Sequence, residues 1–284
     1  MAPLHNAQSL AIIRATSNLL PTAKTIAFFD SSFHSTLPPY IYTYPINQKV
    51  ARRNNLRKYG FHGISYAFIV HEVSQFLKKP KSQLNIIALH LGSGASVCCI
   101  QNGQSLDTSM GLTPLAGLPS ATRSGSIDPS LIFHFTHSGG KPSRSLSREM
   151  HITQAEEILN TSSGWKALTG TSDFGRISAS ERVEDQLAFQ IFVDRILNYV
   201  PSYFAKLNGK VDALVFAGGI GENGGKLRNA VVEGVRCLGF AIDEKNERPS
   251  DDIVADVSAR EARYRTLICR TDEQLQMARD VHST

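Results

Sequence analysis

No apolar stretch of this 284-residue chain approaches the ~20 residues that a membrane-spanning helix needs, so a membrane role is not expected. Cysteine is scarce. The four present form neither a metal-binding spacing nor a disulfide framework. Cys98 and Cys99 are adjacent, which would point their side chains to opposite faces of a strand, while Cys237 and Cys269 stand alone. A reducing, cytoplasmic compartment is the default that follows. There is no G-x-S-x-G nucleophile elbow, no internal repeat and no low-complexity segment. Acidic residues are absent from positions 1–29, where Arg14 and Lys24 are the charged residues. Transit peptides share that trait, but arginine is sparse here and "TIAFFD" closes the stretch as a buried strand would.

Net charge is +5, from 30 lysines and arginines against 25 aspartates and glutamates. The only dense basic run holds Arg52, Arg53, Arg57 and Lys58, which reads as a solvated face rather than a nucleic-acid footprint. A modest positive bias also suits a small anionic substrate.

Periodicity places a helix over 6–19, stopped by Pro21, and a strand over 25–29 that ends at Asp30. The proline-bounded, aromatic stretch 38–45 reads as an ordered loop or edge strand. A helix over 64–79 precedes two apolar runs joined by Gly92, Ser93 and Gly94, and "QNGQ" at 101–104 is an Asn-Gly hairpin turn. Asp128 and Pro129 open a short helix that Gly139 and Gly140 close, and Thr153 with Glu156 makes a capping box. An amphipathic segment over 181–207 should kink or split at Pro201. A strand at 214–217, a helix over about 226–238, strands at 239–242 and 264–270 and a last helix complete the chain. Strands alternating with helices, plus one hairpin-rich section, indicate an α/β fold with a mixed sheet.

The stretch "LVFAGGIGENGG" spells G-x-G-x-x-G with Gly219, Gly221 and Gly224, and Asp243 stands about where a dinucleotide fold places its acidic residue. A Rossmann unit, however, usually leads its chain or forms a self-contained half, and this loop lies three quarters of the way along. A helix-capping turn is the plainer alternative. The second glycine turn, "HLGSG", follows a strand too but opens a hairpin, where main-chain N–H groups can approach an anion without Cβ interference. Asp30, His62, His90, Arg123 and Asp173 accompany the two turns. Each alone reads as structural. Together they are what phosphoryl transfer requires: cations for the equatorial oxygens, a carboxylate for Mg²⁺ and glycine loops for a nucleotide.

Six segments in order, "APLHN" at 2–6, "FFDSSFHSTLP" at 28–38, "YGFHGIS" at 59–65, "HLGSGAS" at 90–96, "GLTPLAGL" with "TRSGSIDP" over 111–129 and "GGIGEN" at 218–223, closely resemble the acetate kinase family. That resemblance implies a ribonuclease-H-like, actin-like ATPase fold. It also implies reversible transfer of the ATP γ-phosphoryl group to acetate, Mg²⁺ dependence and a homodimer. By position it gives Asp30, His62 and Arg123 the catalytic roles, and assigns His90, Leu91, Gly92, Ser93 and Gly94 to the phosphates. Asp173, Phe174 and Gly175, with Gly219, Ile220, Gly221, Glu222 and Asn223, match nucleotide contacts. Leu4, Phe61 and Pro114 match an acyl pocket, and Glu273 a magnesium-associated glutamate. Residues 1–31 would be the remnant of a first lobe and 32–284 the nucleotide-binding lobe, the last helix packing back toward the first. "MAPLHNAQSL" then resembles an internal family segment, which argues against a transit peptide. The serine-rich phosphate loop that opens family members has no counterpart here. Ser93, Gly175 and Ser126 stand where the family usually has asparagine, arginine and aspartate. An impaired nucleotide-binding remnant and a propionate or butyrate kinase remain the alternatives.

Overall fold

The computed structural model describes residues 3–135, 140–141, 152–243 and 252–282. Its centre is a six-stranded mixed sheet in the order β3-β2-β1-β4-β6-β5. β1 (Ile86–Leu91), β2 (Ala95–Gln101) and β3 (Gln104–Thr108) form an antiparallel meander. β4 (Ala213–Ala217) pairs in parallel with β1, β6 (Arg265–Cys269) pairs in parallel with β4, and β5 (Val254–Asp256) closes the edge antiparallel to β6. An antiparallel meander continued by parallel strands is the order expected of a ribonuclease-H-like sheet. Every residue of β4 is buried, as in a strand covered on both faces. Cys98 and Cys99 do point to opposite layers: one packs with Tyr66 and Phe68, the other with Phe192 and Tyr203. The Asn-Gly turn is present, with Asn102 at φ 52° and Gly103 at φ 74°.

α1 (Pro3–Leu19) stops ahead of Pro21 as expected. The strand expected at 25–29 is not formed. That segment pairs with none of the six strands and leaves Phe29 67% exposed. Strand-like composition yields a strand only where a neighbour takes up the main-chain groups. The stretch 38–45 is likewise not an edge strand but the one-turn α2 (Pro39–Tyr42), because Pro39 is preset for the first helical turn.

α3 (Gln48–Arg53) is capped by Asn47, whose side chain accepts the N–H groups of Lys49 and Val50. Its basic run divides as a structural reading expects. Arg52 and Arg53 face solvent, Arg57 lies over the Tyr42 ring at 3.9 Å, and Lys58 pairs with buried Asp107 at 2.9 Å. α4 (Gly63–Phe76) covers one face of the sheet with Tyr66, Phe68, Ile69 and Val73.

α5 (Leu131–Phe135) follows the Asp128 turn, and the expected stop at Gly139 lies outside the described residues. α6 (Gln154–Thr161) begins at Thr153, whose hydroxyl accepts the Glu156 N–H. α7 (Gly164–Thr169), α8 (Phe174–Ala179), α9 (Val183–Leu197) and α10 (Val200–Lys206) build the opposite layer, with the break between the last two just ahead of Pro201. Trp165, Phe174 and Phe192 meet edge to face there at 5.0–5.2 Å.

α11 (Gly218–Asn223) leaves β4 directly and runs into α12 (Gly225–Gly234). The strand expected at 239–242 reduces to isolated bridges at Phe240 and Ile242, and β5 takes the edge beside β6 instead. α13 (Glu273–His282) packs on α4, with Arg279 bonded to Glu72 at 2.6 Å. Among the described residues no helix is long and apolar enough to cross a membrane.

The join of β4 to α11 leaves no room for a side chain. Gly218 holds φ +74°, and a Cβ there would come 2.8 Å from the Leu91 carbonyl oxygen. A Cβ at Gly219 would meet nothing within 4 Å. In urea denaturation, Gly218→Ala should therefore lose about 3 kcal/mol, from a left-handed conformation plus a main-chain clash. Gly219→Ala should stay within about 0.5 kcal/mol of the parent.

Candidate active site at the glycine turns

β1 and β4 are parallel neighbours, so the turns that follow them emerge side by side; open α/β sheets bind ligands at such strand ends. After β1, the Gly92 N–H bonds the Gly94 carbonyl at 2.9 Å and turns the chain into β2. After β4, Gly218 presses on Leu91, so the two turns touch through main chain. Arg228, fully buried on α12, donates one guanidinium nitrogen to the carbonyls of Gly221 at 2.8 Å and Glu222 at 2.9 Å. Glu222 in turn accepts from the N–H of Gly218, the N–H of Thr271 and the Thr271 hydroxyl, tying this turn to the segment between β6 and α13. Sequence reasoning missed Arg228. The signal was its place among Leu227, Val231 and Val232, which puts an arginine on the apolar face of a helix.

Several expected nucleotide contacts change character. Leu91 is 0% and Phe174 5% exposed, so their side chains belong to the core and a nucleotide contact at these positions would come from main chain; Ile220 packs partly against the same core. One Glu222 carboxylate oxygen and the Asn223 amide, bonded to the Gly219 carbonyl at 2.9 Å, hold the turn itself. Asp173 caps α8 by accepting the Arg176 N–H. Lys226 at the start of α12 reaches the Ser178 carbonyl at 2.8 Å, which brings α8 against the second glycine turn. Gly175 and Gly219 are exposed.

The charged side chains gather over the first turn. His62 precedes α4 in the left-handed region, φ 59°. Gly63 after it leaves no room for a Cβ, which would fall 2.1 Å from the Asp30 carbonyl, and its N–H bonds that carbonyl at 2.8 Å. Asp30 and His62 are thereby fixed as neighbours. The His62 and His90 rings stack with centroids 4.1 Å apart. His62 bonds Ser96 and His90 bonds Ser65, each through Nδ1, at 2.8 and 2.7 Å. A Cβ on Gly94 would lie 3.3 Å from His62 Nε2 and 3.2 Å from Arg123 Nη1, and one on Gly92 would lie 4.0 Å from His90 Nε2. The imidazoles thus turn their Nε2 edges to the glycine turn, and Arg123 joins them there. The Arg123 loop is held by the Ala121 N–H on the Ser93 carbonyl at 3.2 Å and by Gly164, which packs on the Arg123 main chain. Ser126, where the family usually has aspartate, accepts the Gly117 N–H at 2.9 Å.

Phe61 and Pro114 are half-buried on segments joined by the N–H groups of Tyr59 and Gly60 at the Gly111 carbonyl. The Leu4 side chain lies outside the described residues. His34, also missed from sequence as a site residue, bonds the Phe61 carbonyl at 2.9 Å and Ser105 at 2.8 Å, and so steadies the segment carrying Phe61 and His62.

Burial lowers His34 and His90 to about 4, and so keeps both neutral. It also lowers Arg123, which stays a cation at neutral pH. Glu273 is raised, first by burial and then by the Asp30 charge, so the two carboxyls lie near enough to feel each other. Among the described residues no group of three or more His, Cys, Asp and Glu forms an all-protein metal cage. A pair of carboxylates close enough to interact does fit Mg²⁺, which is usually held by one or two carboxylates plus substrate phosphates.

Residues 1–279 match the model of the Acetokinase family. The chain belongs to this family. A probable acetate kinase of Emericella nidulans is 58% identical over 285 residues, which cover 98% of this chain and 68% of that relative. The acetate kinase of Acetivibrio thermocellus is 40% identical, over 99% of this chain and 68% of its own length. Among solved structures, a propionate kinase from Francisella tularensis superposes with a TM-score of 0.88 at 35% identity, over 98% of this chain and 69% of its own. The Porphyromonas gingivalis acetate kinase gives 0.87 at 31% identity, over 99% and 69%. The chain therefore spans about two thirds of the length of these members. Family membership replaces the dinucleotide reading of G-x-G-x-x-G: here the motif opens a short helix whose turn leans on a hairpin, not a Rossmann half.

His34 and His90 also set a pH dependence. Both are neutral in the fold down to about pH 4, whereas unfolded histidine takes up a proton near 6.5. The unfolded chain then binds more protons, so their stabilisation is complete above about 6.5 and is lost as pH falls toward 4. Chemical denaturation from pH 6.5 to 4.5 should show each histidine contributing about 1.4 kcal/mol per pH unit. His34→Gln should flatten the slope by that amount.

Proposed function

We propose that this chain acts as an acetate kinase, transferring the γ-phosphoryl group of ATP in line to acetate and giving acetyl phosphate and ADP, reversibly. The observation that carries this reading is the convergence of Arg123 Nη1 and His62 Nε2 on Gly94, within 3.2 and 3.3 Å of where its Cβ would be. A phosphoryl group over that turn would have a permanent cation and an imidazole beside its equatorial oxygens, where charge develops in transfer. Acetate is ionised at neutral pH and is already a competent nucleophile, so no strong base is needed. Positioning and charge neutralisation supply the catalysis.

Asp30 accordingly serves geometry and metal rather than proton removal. With Glu273 it would hold Mg²⁺, which when bound neutralises charge on the phosphates. His90, kept neutral, stacks on His62 and turns its Nε2 toward Gly92 without adding a second positive charge. The exposed faces of Gly175 and Gly219 are assigned to the nucleoside, and Phe61 with Pro114 to the acyl methyl group. Residues 1–31 are assigned to a first lobe and 32–284 to the nucleotide-binding lobe. The apolar side chains exposed on α1 and after it, Leu19 at 79% and Phe29 at 67%, support that division. Free cysteines, three of them buried, suit a reducing cytoplasm.

Incubation with ATP, Mg²⁺, acetate and hydroxylamine tests the reading. Acetyl hydroxamate should form, and Arg123→Ala and His62→Ala should each lower kcat by about 10²- to 10³-fold with the fold intact. Absence of hydroxamate with retained ATP binding would instead favour a non-catalytic nucleotide-binding protein. Propionate and butyrate in the same assay rank the acyl acceptors.

A further inference from the structure

Tyr66, Ser96 and His62 form a line of hydrogen bonds whose direction can be worked out. The Tyr66 ring is wholly buried in the layer under α4, and its hydroxyl lies 2.5 Å from Ser96 Oγ, itself wholly buried. Ser96 Oγ lies 2.8 Å from His62 Nδ1. Among the described residues the only acceptor the phenol meets is Ser96 Oγ, while the main-chain N–H of His90 approaches the phenolic oxygen as a donor. Burial holds the phenol well above its ordinary range, so it carries its proton. A buried O–H left without an acceptor costs about 1–3 kcal/mol. Tyr66 therefore donates to Ser96. The single Ser96 proton then goes to its other neighbour, and His62 Nδ1 must accept it.

We propose that Tyr66 and Ser96 are positioning residues that hold His62 as the Nε2–H tautomer, so that it presents a hydrogen-bond donor to an anionic oxygen lying over Gly94 beside Arg123. The reverse direction, from an Nδ1–H through Ser96 to Tyr66, strands the phenolic proton in the core. A doubly protonated His62 strands the Ser96 proton instead, since that oxygen would be receiving from both sides. The stacked neighbour differs: among the described residues the bond between His90 and Ser65 has no third member beyond the serine to fix its direction. The line thus singles out His62 of the two imidazoles as a defined donor. Its use on a phosphoryl oxygen rests on the kinase reading; the tautomer does not.

The test is ¹⁵N NMR of the full chain with labelled histidine at pH 7.5, with His62 assigned by loss of its signals in His62→Gln. The expected result is an acceptor-type Nδ1 and a protonated Nε2 in the parent, and a mixture of tautomers in Tyr66→Phe. Ser96→Ala should shift the His62 signals further, and Ser96→Thr, which keeps the hydroxyl, should restore them. In the hydroxamate assay Tyr66→Phe and Ser96→Ala should lower kcat about tenfold with KM for ATP within about twofold, since a wrong tautomer removes the donor rather than the binding site. A protonated Nδ1 in the parent, or a Tyr66→Phe spectrum identical to the parent's, overturns the proposal. If the parent makes no hydroxamate while its spectrum shows the expected tautomer, the kinase reading fails and the tautomer assignment stands.

Discussion

Parallel pairing of β1 with β4 is the constraint on which the site depends. It brings two glycine turns out at the same level of the sheet, and the missing side chain of Gly218 lets their main chains close to contact. Everything with chemical potential is then hung on that contact. Arg228 and Glu222 brace the second turn from beneath, while His62, His90 and Arg123 arrive over the first from separate segments of the chain and Asp30 is held beside His62. The helices covering both faces keep those strand ends rigid. That rigidity lets side chains 61 positions apart, His62 and Arg123, be aimed at one small volume.

The electrostatics follow from depth. His90, at the end of β1, is buried enough to stay neutral well below physiological pH, while the Arg123 guanidinium over the same turn keeps its charge. Opposite in sign, the Asp30 charge lies close enough to Glu273 to help raise it. A dianionic phosphoryl group with a divalent cation would suit a guanidinium and a pair of carboxylates together.

Much of the frame was legible in the sequence because local chemistry compels it. Asn102 and Gly103 tolerate the positive φ a tight hairpin needs, Pro201 cannot sit inside a continuous helix, and Cys98 and Cys99 must face opposite ways on a strand. The site was legible as a set of residues, through ordered motifs, but not as a geometry. The misreadings share a cause. Residues 25–29 and 239–242 have strand composition, yet whether a strand forms is decided by neighbours that periodicity does not reveal. Phe174 sits in a motif beside an exposed aspartate, and only packing shows that its ring belongs to the core. Arg228, His34, Ser96 and Tyr66 act by holding other groups, and such roles exist only once the fold has brought the partners together.

The central claim is that His62 and Arg123 act together on a group seated against Gly94, and a single added methyl tests it most directly. Gly94 lacks the positive φ that would penalise alanine, so Gly94→Ala should fold with stability within about 1 kcal/mol of the parent. Its Cβ would nevertheless press on Arg123 Nη1 and His62 Nε2 and shift both by a few tenths of an ångström. The kcat for hydroxamate formation should fall about tenfold or more, because misplaced charge loses transition-state stabilisation steeply. Unchanged kcat in a variant shown to be folded would contradict it.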